Sequence, residues 1–98
     1  MRRFIEGTVP ILYLKEGDMF VAHCPVLDLS TCGETFQEAE DNVREALELF
    51  FDECVKRGTL DRALTSLGWK KARTRPPRWQ PPVVVGEERL PVRVPVAA

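Results

Sequence analysis

The stretch from Thr35 to Gly58, TFQEAEDNVREALELFFDECVKRG, constrains this chain more than any other. At about 100° per residue, Phe36, Ala39, Val43, Ala46, Leu47, Phe50, Phe51 and Cys54 fall on one broad face of a helix. Thr35 with Glu38 reads as a capping box, in which each side chain satisfies a backbone N–H that the first turn leaves unpaired. Lys56 and Arg57 stand at the negative end of the helix dipole, and Gly58 is a natural residue for the stop. The apolar face of this helix is expected to lie on a sheet.

The flanking sequence supplies strands. Residues 4–14 read as a first strand, with Ile5, Val9, Ile11 and Tyr13 on one face and Glu6 and Thr8 on the other. Pro10 has no N–H, which implies a free edge or a bulge there. Residues 15–18 read as a hairpin turn in which Gly17 supplies a positive φ. A returning strand is expected over 19–24, a loop over 25–29 and a short third strand over 29–32, followed by a turn at Gly33. After the long helix a second short one is expected over 60–67, with Thr59 as N-cap and Gly68 as stop. Residues 70–82 read as a basic, Pro-rich linker. The chain then ends in a strand pattern, with Leu90, Val92, Val94 and Val96 on one face and Arg89, Pro91, Arg93 and Pro95 on the other. Alternate residues of a strand aim their backbone groups at the same edge, so the two prolines block one edge and leave the other competent. The expected architecture is α+β: a small antiparallel sheet with one long helix packed on one face, in the order β-β-β-α-α-β. Residues 1–69 form its body, 70–82 the linker, and 83–98 a terminal strand that pairs in its own fold or is exchanged between protomers.

Ninety-eight residues is one domain's worth of chain. With 44% hydrophobic and 30% charged residues it has the composition of a soluble globular protein. Charge interrupts every long apolar run, and the N-terminus lacks the apolar core of a signal peptide. Three cysteines make no disulfide framework, so the expected location is cytoplasmic, with no membrane association. Residues 1–69 carry 7 Lys+Arg against 13 Asp+Glu, a net −6, and residues 70–98 carry 7 against 2, a net +5. The chain is an acidic body with a basic tail.

Asp41, Glu45, Glu48 and Asp52 fall within about 60° of one another on the helix face opposite the apolar one. The pairs 41/45 and 48/52 are like charges at i, i+4, each destabilising by roughly 0.2–0.5 kcal/mol. They form either a solvated face or a docking stripe for a cationic partner. A nuclease site needs carboxylates converging from several elements around divalent metal. Four acids on one helix face, with only Asp18 and Asp28 in turns beside the strands, do not give that. His23, Cys24, Cys32 and Cys54 lack the paired spacing of a zinc site, and His23 and Cys24 point to opposite strand faces. No catalytic residue, metal ligand or cofactor is expected. The segment 69–79 is the remaining candidate, because Lys70, Lys71, Arg73, Arg75 and Arg78 lie between Trp69 and Trp79. Cations flanked by aromatics can grip phosphates and stack on unpaired bases. The alternative is a charged linker with a tryptophan packed at each end.

The run FVAHCPVLDLSTCGETFQEAEDNVREALELFF resembles the HicB-like antitoxin family. The resemblance is carried by Pro25 after the second strand, the Gly33-Glu34-Thr35 turn, Glu38-Ala39 at the helix start and Glu45-Ala46-Leu47 downstream, and it covers residues 4–57. It implies a partial RNase H-like fold and, as partner, a HicA-type RNA-cleaving toxin neutralised by stoichiometric protein–protein contact without turnover. The family's frequent C-terminal DNA-binding domain has no counterpart in residues 70–98. On this reading Asp41, Glu45, Glu48 and Asp52 are the partner-binding residues. Leu90, Val92, Val94 and Val96 are then the contacts of a homo-oligomer, a dimer or tetramer. The other readings are a small nucleic-acid-contacting regulator using 70–79, and a structural homo-oligomer.

Overall fold

The computed structural model describes residues 7–76 and 78–97. Three strands, β1 (Leu12–Glu16), β2 (Met19–Cys24) and β3 (Leu29–Gly33), form an antiparallel sheet in the order β1-β2-β3. Two helices follow, α1 (Phe36–Arg57) and α2 (Leu60–Ser66), and then a separate antiparallel pair, β4 (Lys70–Ala72) and β5 (Arg78–Gln80). The fold is α+β, as the helix and strand periodicities imply.

Register follows from a short hairpin. Gly17 and Asp18 connect Glu16 to Met19, and Gly17 takes φ 61°, the positive value that the first position of a II′ turn requires. From there Tyr13 stands opposite Ala22 and Lys15 opposite Phe20, while Ala22 stands opposite Thr31 and Cys24 opposite Leu29. Phe20, Ala22 and Cys24 therefore share the face that meets α1, while Leu12, Leu14, Val21 and His23 share the other.

The long helix keeps the boundaries its caps imply. Thr35 Oγ1 accepts the Glu38 N–H at 3.0 Å, and among the described residues Glu38's carboxylate makes no return bond, so the box is half formed. At the other end Gly58 is left-handed (φ 65°), and the N–H groups of Gly58 and Thr59 close on Val55 and Cys54. α1 lies chiefly over β3 and less over β2, and it does not extend over β1. Ala39 and Val43 pack on Ala22 in one cluster. A second, larger cluster gathers Cys24, Val26, Leu27, Leu64 and Trp69, with Leu47, Phe50 and Phe51 of α1 and Trp79 against it. Full burial of a side chain such as Leu64 stabilises by about 1.5–3 kcal/mol.

Four expectations are corrected. The first strand begins at Leu12: residues 7–11 are irregular, Pro10 among them, and the expected positions 4–6 lie outside the described residues. Lys15 and Glu16 belong to β1, not to the turn. The expected linker 70–82 contains the β4–β5 hairpin, because Lys71 and Trp79 stand opposite each other and both tryptophans pack inward on the second cluster. Finally, the C-terminal strand pattern forms no strand: residues 81–97 carry no regular structure, and Leu90, Val92, Val94 and Val96 are 70–94% exposed. An extended segment becomes a strand only when another edge satisfies its backbone, and among the described residues none does. The projecting tail gives the chain extents of 58 × 28 × 23 Å and a radius of gyration of 16.7 Å, against about 13 Å for a compact domain of this length.

Candidate partner-binding face

The outward face of α1 carries the acids. Asp41, Glu45 and Glu48 are exposed and Asp52 is half-buried. Asp41 accepts a hydrogen bond from Gln37 Nε2 at 3.0 Å. Among the described residues Glu45 and Glu48 make no ion pair. The two ion pairs within α1, Arg44–Glu40 at 3.6 Å and Arg57–Glu53 at 3.2 Å, lie to either side of the stripe. All four predicted residues are thus brought together along one helix face.

The stripe is not purely polar, a feature its charge pattern concealed. Leu49 (56% exposed) and Val55 (50%) are large apolar side chains on or beside it. Leu49 also lines a shallow groove of about 560 Å³, open to solvent, together with Leu29, Ala46, Phe50, Cys54, Glu53 and Arg57. Position 49 lies about 40° from Glu45 on the helix, whereas Ala46 and Phe50 lie about 100° or more from Glu45, so Leu49 is the side chain that stands between the groove and the acidic stripe.

The soft-ligand candidates disperse. Cys24 is fully buried, and burial pushes its thiol pKa up, against the lowering effect of backbone hydrogen bonds from Leu27 and Val26. Cys54 is buried in α1, Cys32 is exposed on β3, and His23 Nδ1 shares a hydrogen bond of 2.6 Å with Ser30 Oγ on the face away from Cys24. Among the described residues no three His, Cys, Asp or Glu side chains gather where they could hold a metal ion.

The basic segment is more ordered than its composition implies. Lys71 Nζ is committed to Asp61 at 3.0 Å and lies 5.7 Å from the centre of the Trp79 ring. Trp69 is buried, donates its Nε1–H to the Val26 carbonyl at 2.7 Å and meets Phe51 edge-on. Lys70, Arg73, Arg75 and Arg78 are exposed, but the rings meant to stack bases serve the core instead. Compared with protein-family models, with curated proteins and with solved structures, the chain matches none. No helix among the described residues is long and apolar enough to cross a membrane.

Proposed function

We propose that this protein is a binding module of the HicB-like antitoxin kind, which neutralises a HicA-type RNA-cleaving toxin by covering it with the outer face of α1. The observation that carries the reading is the exposed acidic stripe with the exposed apolar side chains of Leu49 and Val55 on or beside it, Leu49 also lining the groove with Leu29, Ala46 and Phe50. A toxin that grips RNA presents cations to it, and an acidic ridge competes for those cations while the groove takes an apolar anchor. The binding is stoichiometric and uses no cofactor.

The test is growth rescue on co-expression with a HicA-type protein, followed by binding measurements at several salt concentrations. The triple variant Asp41→Asn, Glu45→Gln, Glu48→Gln keeps Asp52, which has a contact of its own. It is expected to fold with stability unchanged or raised by a few tenths of a kcal/mol, because both like-charge i, i+4 pairs, 41/45 and 48/52, are removed. It is also expected to bind at least tenfold more weakly at low salt, with the deficit shrinking as salt screens the parent protein. Full rescue and unchanged affinity in the triple variant would show that the stripe is a solvated face.

A further inference from the structure

We infer that the C-terminal segment 90–96 is a β-strand donated to the free edge of β1 in a second copy of this chain, reciprocally, so that two chains close into a dimer. This inference stands independently of the antitoxin reading.

Edge parity selects the acceptor. A two-residue loop is closed by a hydrogen-bonded pair, here Glu16 and Met19. Hydrogen bonding alternates along an antiparallel ladder, so Leu12, Leu14 and Glu16 aim their backbone groups at β2, whereas Tyr13 and Lys15 aim theirs outward. Carried through β2, the same alternation turns Ser30 and Cys32 outward on β3. There the Cys32 carbonyl is already taken by Asn42 Nδ2 at 2.8 Å. Among the described residues the outer edge of β1 has no partner.

The donor has matching parity. Leu90, Val92, Val94 and Val96 have both their apolar side chains on one face and their backbone groups on one edge, and Pro91 and Pro95 disable only the other edge. Directly opposed residues of an antiparallel pair share a face. Pairing this edge with Tyr13 and Lys15 therefore lays the tail's apolar stripe on the helix side of the sheet. That side of β1 lies at the margin of α1, which reaches it through the Phe36 ring. What stands there is an aromatic pair at the margin of the core, Tyr13 and the 46% exposed Phe36, with ring centres 4.5 Å apart. Pairing with β3 would instead set the stripe beside exposed Ser30 and Cys32. A second copy is the host inferred because the tail leaves its own body at Pro82, against Gly68, and its described residues do not return to their own β1, while from residue 83 it can extend for up to about 45 Å. The donated strand presents Pro91, Pro95, Arg89 and Arg93 at the new outer edge, which stops further addition and keeps the assembly at two chains.

The experiment is cysteine cross-linking in a Cys32→Ser background. One chain carries Tyr13→Cys and a co-expressed chain carries Leu90→Cys, Val92→Cys or Val94→Cys in turn, with mild oxidation and non-reducing electrophoresis. At least one even position is expected to give a covalent heterodimer, and Arg93→Cys, on the opposite face, is expected to give none. A chain carrying both cysteines that cross-links only within itself would overturn the exchange. So would unmodified full-length chain that sediments as a monomer at high micromolar concentration, a measurement untouched by any disturbance at Tyr13.

Discussion

Gly33 offers the sharpest test of how the sheet and helix are joined. It is the last residue of β3 and is buried, and its backbone does not require a positive φ. Its necessity is one of space. A Cβ built there would meet the Ala39 backbone nitrogen at 2.5 Å and Glu38 atoms at 2.9 Å. Ordinary contact begins at 3.4 Å, so Gly33→Ala requires a displacement of about 0.9 Å against backbone. A flexible side chain could swing away, but the first turn of α1 cannot. It is fixed on one side by the Thr35 cap on Glu38 and on the other by the Asn42 bond to the Cys32 carbonyl.

Overpacking of this kind costs about 1–3 kcal/mol, and losing a cap or a hydrogen bond adds about 1 kcal/mol. Gly33→Ala is therefore expected to destabilise by roughly 2–4 kcal/mol, and a melting midpoint lower by roughly 8–30 °C follows. A domain of this size holds about 5–15 kcal/mol in total, so the variant stands near the limit of folding. Urea unfolding followed by circular dichroism and tryptophan fluorescence gives the difference directly. Gly17 is the control, since it has φ 61° and open space around it. Asparagine, which tolerates the left-handed region, should be accepted at Gly17 at small cost and rejected at Gly33. A Gly33→Ala stability within about 0.5 kcal/mol of the parent would refute the close-approach argument.

Two further outcomes are expected. Trp69→Phe keeps most of the ring but leaves the Val26 carbonyl without its 2.7 Å donor, so unfolding should show a loss of about 1–3 kcal/mol. An unchanged unfolding free energy would mean that water takes the donor's place. For the thiols, exposed Cys32 should be alkylated in the folded protein while Cys24 reacts only on unfolding. Because burial raises the folded pKa of Cys24, its thiol binds a proton more tightly in the native state than in the unfolded chain. Its contribution to stability is therefore full below the unfolded thiol pKa, about 8.5, and falls as pH rises above it. Comparing the parent with Cys24→Ala across that window isolates this slope, and identical pH dependence in the two would remove the group from the account.

The parts of the fold that were legible in the sequence are those that local chemistry decides. The Thr35 cap, the Gly58 stop and the Gly17 hairpin each depend on residues within a few positions of one another, and each stands where the residue pattern puts it. Phe36 fits the apolar periodicity of α1 yet is 46% exposed, and its ring meets the Tyr13 and Phe20 rings at the margin of the core. Val26 and Leu27 stand in a loop and are nonetheless core, since their cover comes from Trp69, more than 40 residues on. The β4–β5 hairpin was hidden by composition. Prolines and arginines read as a linker, while the Lys71–Trp79 pairing that organises the segment spans it. The acidic stripe was legible residue by residue because helical spacing alone aligns it. The groove beside it was not, because Leu29 enters from β3.

The tail shows a different limit, one that turns on what a strand is. Backbone parity along residues 90–96 follows from alternation alone, and so does the consequence that Pro91 and Pro95 close one edge. Which partner satisfies the open edge depends on where a free edge of matching parity and bare apolar surface exists. That became visible only when the Glu16–Met19 closing pair fixed which residues of β1 face outward. Among the described residues neither element is satisfied: the tail stays extended with its valines in water, and the outer edge of β1, with exposed Leu12, Tyr13 and Leu14, has no strand beside it. Two unsatisfied edges of complementary parity in one sequence are a standing invitation to uncontrolled pairing unless each satisfies the other. In the proposed exchange the prolines resolve that hazard, because each donated strand would be a poor acceptor for the next and growth would end after one reciprocal exchange.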